Sequence, residues 1–396
     1  MFNWLNQVVS ITLFNLRSMP ERKGAAITTM FGIAGVVAVF VGVFSMAEGF
    51  RQAMTASGED DVALVMRSGA DNEMSSNLIR QDCSIISDAP GVARGANGPL
   101  VSNEMVMVID LPKQSTGTDA NVPLRGVDPT AFAVRSNVKL VEGRQLTPGR
   151  NELNVGVGAL REFKGLAVGD KLTFGQTDWT VVGVFSADGG VSESEIWADT
   201  AVLQPAYHRD DNYQAVYAKL TSPDAFQKFK DALTSDPRLT VKAVLQKEYF
   251  ADQSTIVTTF IKTIGFAVAA MMGLGALFGA LNTMYSAVAA RTREIATLRA
   301  LGFGAGPVVL SVLFESIVLA LIGGGAGAIA ARIMFNGFTA ATMNWQTFSQ
   351  VAFAFAVTPT IMGEAMILAV AIGLFGGLFP GIRAARLPVA AALREI

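Results

Sequence analysis

Residues 263–290 read TIGFAVAAMMGLGALFGALNTMYSAVAA, which is 28 residues without a charged side chain. At about 1.5 Å per residue, a helix of this length exceeds the roughly 30 Å of a bilayer's hydrocarbon core. Apolar residues at helical spacing continue upstream in DQSTIVTTFIK. We therefore predict one helix over residues 252–290, about 58 Å long, that crosses the membrane and continues beyond it as a stalk.

Three further apolar stretches predict membrane-spanning helices. They cover residues 24–47, residues 303–331, which Glu315 interrupts, and residues 365–382. A cleaved signal peptide is the alternative for the first stretch. That alternative is disfavoured because the stretch exceeds the usual apolar length of about 7–15 residues and 23 residues precede it.

The charged residues separate a polar segment from this apolar frame. Residues 49–254 hold 20 Lys/Arg and 27 Asp/Glu, whereas the other 190 residues hold 11 and 6. The polar segment therefore carries a net charge of −7, which argues against nucleic-acid binding. A single cysteine, Cys83, excludes an intramolecular disulfide, and a single histidine, His208, removes most histidine-based metal sites and triads.

Basic residues predict the orientation of the spans. Nine of the 11 Lys/Arg outside the polar segment flank the spans on one side: Arg17, Arg22, Lys23, Arg291, Arg293, Arg299, Arg383, Arg386 and Arg394. The positive-inside rule places this side in the cytoplasm. We therefore expect both termini in the cytoplasm of a bacterial cell, the chain in its inner membrane, and the polar segment in the periplasm.

These patterns predict an α-helical membrane protein with four transmembrane helices and an inserted α+β periplasmic domain. Residues 2–16 place apolar side chains on one helical stripe, which favours an amphipathic helix on the cytoplasmic face over a frayed end. The predicted order of segments is a cytoplasmic amphipathic helix 1–23, transmembrane helix 24–48, periplasmic domain 49–250, stalk and transmembrane helix 251–290, cytoplasmic segment 291–302, transmembrane helix 303–332, short periplasmic loop 333–362, transmembrane helix 363–383 and cytoplasmic tail 384–396.

The polar segment shows strand patterns but no catalytic constellation. Seven alternating runs predict strands: DVALVMRSG, NEMVMVID, NVPLRGV, NELNVGV, DKLTFG, DWTVVGVF and YQAVYAKL. PDAFQKFKDALTS predicts a helix with Phe226, Phe229 and Leu233 on one face. We expect a domain of about 200 residues, large enough for its own core and divisible into two lobes.

Several polar features of this domain are weak candidates for function. GLAVGDKL resembles a phosphate loop, but its spacing is wrong, so a turn before a strand is the better interpretation. Glu193, Glu195 and Asp199 could ligate a cation, although a solvated loop is favoured. His208 could transfer protons, yet no nucleophile pairs with it, and a surface position is favoured.

Three spans carry glycines four residues apart, a spacing that places small residues on one helix face and favours close helix contacts in lipid. The pairs are Gly275 with Gly279, Gly323 with Gly327, and Gly373 with Gly377.

Residues 289–324, AARTREIATLRALGFGAGPVVLSVLFESIVLALIGG, form the most informative stretch. Residues 291–299 predict a short charged helix that leaves the membrane, ends near Gly302 and re-enters as the third span. Its arginines could serve only as a topological anchor, or the segment could be a docking surface for a cytosolic partner. Glu315 lies deep in the following span, where a carboxylate is expensive and should face protein or water. It could hold spans together, be neutral or contact a substrate.

The chain resembles the MacB-type, FtsX-like permease superfamily of ATP-binding-cassette (ABC) transporters. The resemblance rests on NLRSMPERKGAAITTMFGIAGVVAVFVGV, RTREIATLRALG, FESIVLALIGG and PGIRAARLPVAAALREI, and on the polar-segment pieces VPLRGVDPTAF, VEGRQLTPGRNELNVG and VGDKLTFGQTDWTVVGVF. It covers nearly the whole chain and keeps the order of the parts. The chain departs from MacB itself, which carries an ATPase fused at its N-terminus.

The resemblance implies a coupling segment that meets a separate cytosolic ABC ATPase. The implied docking residues are Arg291, Arg293, Glu294, Ile295, Leu298, Arg299 and Gly302, with Glu315 as a recurring acid. Because the chain lacks a Walker A motif, we expect no catalytic site, metal or cofactor in it; ATP and Mg²⁺ would bind the partner.

A second permease copy, identical or related, is also expected, and a periplasmic membrane-fusion adaptor is a further possible partner. The implied function is export or extraction of an amphiphilic substrate, driven by motion transmitted through the stalk. The alternative is an FtsX-like transmitter that activates a periplasmic hydrolase without transport.

Overall fold

The computed structural model of the chain describes residues 2–18, 23–344 and 349–388. It divides into two compact units. Unit 1 comprises Met1–Glu48, Phe260–Phe338 and Ala356–Ile396, and unit 2 comprises Gly49–Thr259 and Thr339–Phe355. Unit 2 therefore contains the whole polar segment 49–254.

The α-helices of the described residues follow the chain in this order: α1 Phe2–Ser18, α2 Lys23–Ala56, α3 Arg80–Ser87, α4 Ala131–Val134, α5 Val157–Glu162, α6 Thr200–Ala206, α7 Ala225–Ser235, α8 Gln246–Ala290, α9 Thr292–Ala300, α10 Ala305–Phe335 and α11 Pro359–Ala385.

The strands are β1 Val62–Arg67, β2 Leu78–Ile79, β3 Arg94–Gly95, β4 Gly98–Pro99, β5 Val101–Pro112, β6 Asp119–Val127, β7 Lys139–Gly143, β8 Glu152–Gly156, β9 Lys171–Phe174, β10 Thr177–Ser186, β11 Ile196–Asp199, β12 Asn212–Tyr213, β13 Ala215–Lys219, β14 Val241–Leu245, β15 Thr339–Asn344 and β16 Ser349–Ala354.

Four helices among the described residues are long and apolar enough to cross a membrane, and they are α2, α8, α10 and α11. The four predicted spans are therefore helical. The second helix starts six residues earlier than predicted, and its 45 residues correspond to a length of about 67 Å.

The core of unit 1 combines branched side chains with small ones. Ile33, Val37 and Val41 of α2 are buried against alanines of the other spans, such as Ala328 and Ala369. Small residues let the helix backbones approach closely. The resulting van der Waals contacts stabilise helix association in lipid, where the hydrophobic effect does not drive it.

Unit 2 is built on one long mixed sheet. The strand order is β14-β1-β13-β5-β6-β11-β8-β10-β7, and β9 pairs with β10. The β6–β11 and β8–β10 pairs are parallel, whereas the other pairs of this sheet are antiparallel. All seven predicted strand runs lie on strands of this sheet, which confirms the mixed α and β character of the segment.

Two large hydrophobic cores lie along this sheet, beside a smaller cluster that contains Phe185 and Trp197. One is formed by β1, β13 and β14 with α3 and α7, and it includes Phe229 and Leu233, as the helical pattern predicted. The other is formed around β5, β6, β8 and β11 with α5, and it includes the fully buried Trp179. The division of this segment into two lobes stays a prediction.

The prediction of a short loop between the third and fourth spans was incomplete. The paired antiparallel strands β15, Thr339–Asn344, and β16, Ser349–Ala354, lie in this region and belong to unit 2. The backbone N–H of Ala352 donates to Ser194 Oγ at 2.9 Å, and the Phe353 ring meets the Phe50 ring edge-on with centroids 5.6 Å apart. The alternation of QVAFAFA carries a strand signal, but its apolar residues blend into the next span.

Candidate coupling site

The segment between α8 and α10 forms the short helix α9 and a defined turn. α9 ends at Ala300, and Gly302 adopts φ +96°, a conformation that glycine takes without steric cost. The N–H groups of Gly302 and Phe303 donate to the carbonyls of Arg299 and Leu298, each at 3.1 Å. This glycine-terminated helix end reverses the chain into α10, and the predicted docking role of Gly302 stays a prediction.

Arg291, which caps α9, forms a buried ion pair with Glu315 of α10. Its Nη2 donates to Glu315 Oε1 and Oε2 at 2.6 and 2.5 Å, and both side chains are only 5% exposed. The carboxylate that interrupts the third span therefore has a partner within the chain. Of the three interpretations of Glu315, this contact matches a link between spans, because it joins the end of α8 to α10.

Further contacts fix the same end of unit 1. Arg299 Nη1 donates to the Leu387 carbonyl at 2.8 Å, and the Gly304 N–H donates to Gln7 Oε1 at 3.3 Å. Asn15 Nδ2 of α1 donates to Ser311 Oγ of α10. Ile295 is buried in an apolar cluster with residues of α1, α8, α10 and α11. The helix α9 is thus held by the chain itself, through Arg299 and the buried Ile295.

The predicted docking residues divide into two groups. Arg293 and Glu294 are exposed, and so is Leu301, whose exposed fraction is 73%. Arg291 and Ile295 are buried, while Leu298 and Arg299 are half-buried. The buried members position α9, and the exposed members offer two charges beside an apolar side chain. Docking of an ATPase on that exposed face stays a prediction.

The three predicted glycine pairs differ in whether they lie against another helix. A methyl group on Gly323 would lie 2.5 Å from the Met30 carbonyl oxygen of α2, and one on Gly327 would overlap Ala34 of α2. Methyl groups on Gly373 and Gly377 would lie 2.6 and 2.7 Å from Cβ atoms of α10, those of Ala320 and Ser316.

By contrast, Gly275 and Gly279 have open space around them, with no described atom within 4 Å of an added methyl group. The predicted contact of this α8 face is therefore not made within the described chain.

Unit 2 contains a buried charge cluster that the sequence did not reveal. We call it the Arg125 cluster, and its charged members are Glu73, Glu104, Arg125, Arg135 and Glu195. All five are buried, and three carboxylates against two guanidinium groups give a formal charge of −1.

Arg125 is the centre of this cluster. Its guanidinium donates five hydrogen bonds of 2.8–3.1 Å to Glu73, Glu104 and Glu195. Arg135 donates two bonds of 2.7 Å to Glu104 and lies 4.0 Å from the centroid of the Tyr217 ring. Such bidentate geometry offsets the cost of burying charge.

The first turns of α8 also reach this cluster. The Glu73 N–H donates to Tyr249 Oη at 3.2 Å, and Tyr217 Oη donates to Glu73 Oε1 at 2.8 Å. Burial alone would raise the pKa of Glu73, but the charge and hydrogen bonds of Arg125, with the Tyr217 bond, bring that pKa below its usual value. Glu73 is therefore ionised at neutral pH. Its backbone N–H contacts α8 and its carboxylate contacts Arg125 of the sheet, so this residue links the two.

Elsewhere in unit 2, burial raises the pKa of two other groups. Burial raises the pKa of Asp128 to about 6, against hydrogen bonds from Asn103 that lower it. Burial likewise raises the pKa of the Cys83 thiol to about 12, so this thiol is unreactive at neutral pH.

The three acids of VSESEIWAD have protein partners, so the solvated-loop interpretation was wrong for the buried Glu195 and Asp199. Glu195 pairs with Arg125, Asp199 caps α6 through the Ala201 N–H, and Glu193 accepts from two backbone N–H groups. No group of three His, Cys, Asp or Glu side chains suited to a metal ion occurs within the described residues.

The other two weak candidates occupy turns. His208 is exposed and follows α6 with φ +52°. GLAVGDKL forms the turn that leads into β9, as favoured from its spacing.

Sequence profiles of two domains match the chain. The MacB-like periplasmic core domain matches residues 26–236, and the FtsX-like permease C-terminal region matches residues 266–389.

Three relatives are 24–25% identical over 96% of this chain. They are the ABC transporter permeases YvrN and YknZ of Bacillus subtilis, covered over 98% and 97% of their lengths, and the macrolide export ATP-binding/permease protein MacB 1/2 of Paracoccus denitrificans. The chain spans 58% of the length of that MacB protein.

Two solved structures are also similar to this chain, each at 16% identity. They are the extracellular domain of the YknZ transporter of Gram-positive bacteria (46% of this chain, 99% of that one, TM-score 0.36) and the periplasmic region of MacB from Actinobacillus actinomycetemcomitans (49% and 92%, TM-score 0.37).

Proposed function

The chain belongs to the ABC transporter permeases with a MacB-like periplasmic core domain and an FtsX-like C-terminal region, and we propose that it couples ATP hydrolysis by a separate cytosolic ATPase to work on an amphiphilic substrate at the periplasmic side. The work is export or extraction of that substrate. ATP and Mg²⁺ bind the ATPase, and this chain supplies the motion.

One observation carries the proposal: the helix that ends at the candidate coupling site is continuous over 45 residues. α8 contains Tyr249, which contacts the Arg125 cluster, and it ends at Ala290, next to Arg291. A helix without a break transmits a displacement of its end instead of absorbing it in a hinge. The buried Arg291–Glu315 pair supports this, because it ties that end to the neighbouring span.

The charge distribution supports the orientation. With nine basic residues on one side of the spans, the positive-inside rule places α9 and both termini in the cytosol and unit 2 in the periplasm. The bacterial inner membrane is then the location of the chain, and Arg293, Glu294 and Leu301 face the compartment that contains ATP.

A second permease copy is the partner we propose for α8. Only 22% of the most apolar window of α8 is buried, against 39–44% for the other three candidate spans. The open face at Gly275 and Gly279 suits close contact with another helix.

Reconstitution with the partner ATPase tests the function. The chain and the ATPase are placed in proteoliposomes, and ATP hydrolysis and movement of a fluorescent amphiphile are measured together. The double charge reversal Arg293→Glu/Glu294→Arg should lower the stimulated ATPase rate and transport roughly 10-fold or more, since like charges would then face each other. Arg332→Glu, an exposed arginine near the other end of α10, is the matched control and should change neither rate.

Two results would count against the proposal. An equal loss of ATPase stimulation and transport in the control and in the charge-reversal variant would contradict docking on α9. The second result is that ATP hydrolysis is stimulated normally and a periplasmic hydrolase is activated, but no amphiphile is transported. This result would assign the chain to signal transmission.

A further inference from the structure

The end of α2 and the start of α8 lie against each other in unit 2. A methyl group on Gly58, just after α2, would lie 2.3 Å from the Cα atom of Lys247 in the first turn of α8. The Glu59 N–H donates to Gln246 Oε1, also in that turn, at 3.3 Å. The two helices are therefore in direct contact where they meet the sheet domain.

From this junction, α8 attaches to one side of the Arg125 cluster. Tyr249 is buried, and its hydroxyl accepts a hydrogen bond from the Glu73 N–H at 3.2 Å. Gln253, one turn further along α8, hydrogen-bonds the same hydroxyl. The Glu73 carboxylate accepts from Arg125 Nη1 and Nη2 at 2.8 and 3.1 Å. A single residue, Glu73, therefore connects Tyr249 with Arg125.

The end of α2 reaches the same guanidinium by another route. Ser57 follows α2, is buried, and accepts a hydrogen bond from the Val191 N–H at 2.6 Å. The 3₁₀ helix Val191–Ser194 leads directly to Glu195. Glu195 accepts from Arg125 Nε and Nη2 at 3.0 and 2.8 Å. Arg125 therefore lies between the attachment of α2 and the attachment of α8.

These contacts close a triangle of α2, α8 and Arg125. A hinge needs residues that absorb a change of direction, whereas a closed set of contacts resists bending because one member cannot rotate without breaking a bond to another. The chemistry of Arg125 suits this position. Its planar guanidinium donates in fixed directions, and charge-assisted hydrogen bonds to buried carboxylates are strong.

We propose that Tyr249 and Arg125 are positioning residues that carry a displacement of α8 into the sheet of unit 2. The inference rests on the proposed function and specifies where the motion of the stalk enters the sheet domain. A displacement of α8 acts on Glu73 through the Tyr249 hydroxyl, and Arg125 passes it to Glu195 at the start of β11. Because β11 pairs with both β6 and β8, the displacement then reaches the middle of the sheet.

Hydrogen exchange of the purified full chain tests this connection without the ATPase. Amide exchange of residues 191–199 is followed by mass spectrometry in detergent for Tyr249→Phe and Tyr213→Phe. The second variant is the matched control, because Tyr213 is also a buried tyrosine of unit 2 and its hydroxyl bonds Gln204, outside the Arg125 cluster. Both changes are repeated in an Arg125→Lys chain, since lysine keeps the positive charge but lacks the planar fork that joins two carboxylates.

Tyr249→Phe should speed the exchange of residues 191–199 roughly 2–10-fold, the effect of one lost hydrogen bond. Tyr213→Phe should leave this segment unchanged, and Tyr249→Phe should add nothing once Arg125 is replaced. Equal acceleration by the two phenylalanine variants, or an undiminished effect of Tyr249→Phe in the Arg125→Lys chain, would overturn the inference. If the Arg125→Lys chain does not fold, the comparison of the two tyrosine variants decides alone.

Proteoliposomes that contain the ATPase give a second measurement, the number of amphiphile molecules moved per ATP hydrolysed. Tyr249→Phe should keep the stimulated ATPase rate and lower this ratio roughly 2–30-fold, whereas Tyr213→Phe should keep both. A parallel loss of ATPase rate and transport in Tyr249→Phe would assign Tyr249 a structural role and overturn the inference. An unchanged chain that moves no amphiphile would contradict the proposed function, and the exchange measurement would still decide the inference.

Discussion

The change Arg291→Met leaves the Glu315 carboxylate buried without its guanidinium partner. Removing one member of a buried ion pair costs about 3–5 kcal/mol, which lowers the folded-to-unfolded ratio by about 10²–10⁴. On the scale of about 2–4 °C per kcal/mol for 150–250 residues, unit 1, with its 168 residues, should lose about 6–20 °C in melting temperature.

The double change Arg291→Met/Glu315→Leu should behave differently. It replaces the pair by apolar side chains of similar volume, an exchange that is commonly neutral or stabilising. The melting temperature should return at least to that of the unchanged chain. Since the Arg291 side chain is 5% exposed and bonds inward, the double variant should also regain stimulation of the partner ATPase.

Thermal unfolding in detergent, followed by tryptophan fluorescence, measures the first effect, and ATP hydrolysis in proteoliposomes measures the second. A single variant that melts with the unchanged chain would refute the energetic role of the pair. A double variant that is stable but does not stimulate the ATPase would show that Arg291 contacts the partner directly, as the family resemblance implied.

Three other changes test the packing of the two units. Gly327→Leu should destabilise unit 1 by about 1–3 kcal/mol or more because its side chain meets α2, whereas Gly279→Leu should leave the melting temperature unchanged and weaken association of two copies, measured by light scattering. Arg125→Met should lower the unfolding temperature of unit 2, read from the fluorescence of the buried Trp197, because it strands two buried carboxylates. Asp128 binds its proton more tightly when folded, so stability falls as pH rises from about 4 to about 6; Asp128→Asn should remove that fall and raise stability at pH 7 by about 2–3 kcal/mol in chemical denaturation.

The parts of the fold that were predictable depend on residues near each other in sequence. Charge-free stretches locate the spans, and alternating runs such as those of β5 and β10 locate the strands, because each signal is complete within one element. The paired strands β15 and β16 were missed since their stabilising contacts, such as Ala352 to Ser194, are made with residues more than 150 positions away.

The candidate sites were less accessible for the same reason. The alternation of NVPLRGV places Arg125 on the strand face that is usually solvated. Nothing local indicates that Glu73, Glu104 and Glu195, which are distant in sequence, surround it. The sequence indicated that Arg291 is a candidate functional residue, but not where its side chain points. Its ion pair with Glu315 depends on the packing of α10 against the end of α8.

The measurement that tests the central claim most directly is photo-cross-linking from α9 in intact cells. A photoreactive amino acid is placed at Thr297, an exposed position of α9, and for comparison at Ile333, an exposed position near the other end of α10. We predict that position 297 captures a tagged ABC ATPase subunit, in a product identified by mass spectrometry, and that position 333 does not. Capture of the ATPase from position 333 alone, or labelling of a cysteine at position 297 by a membrane-impermeant reagent added outside the inner membrane, would contradict the account.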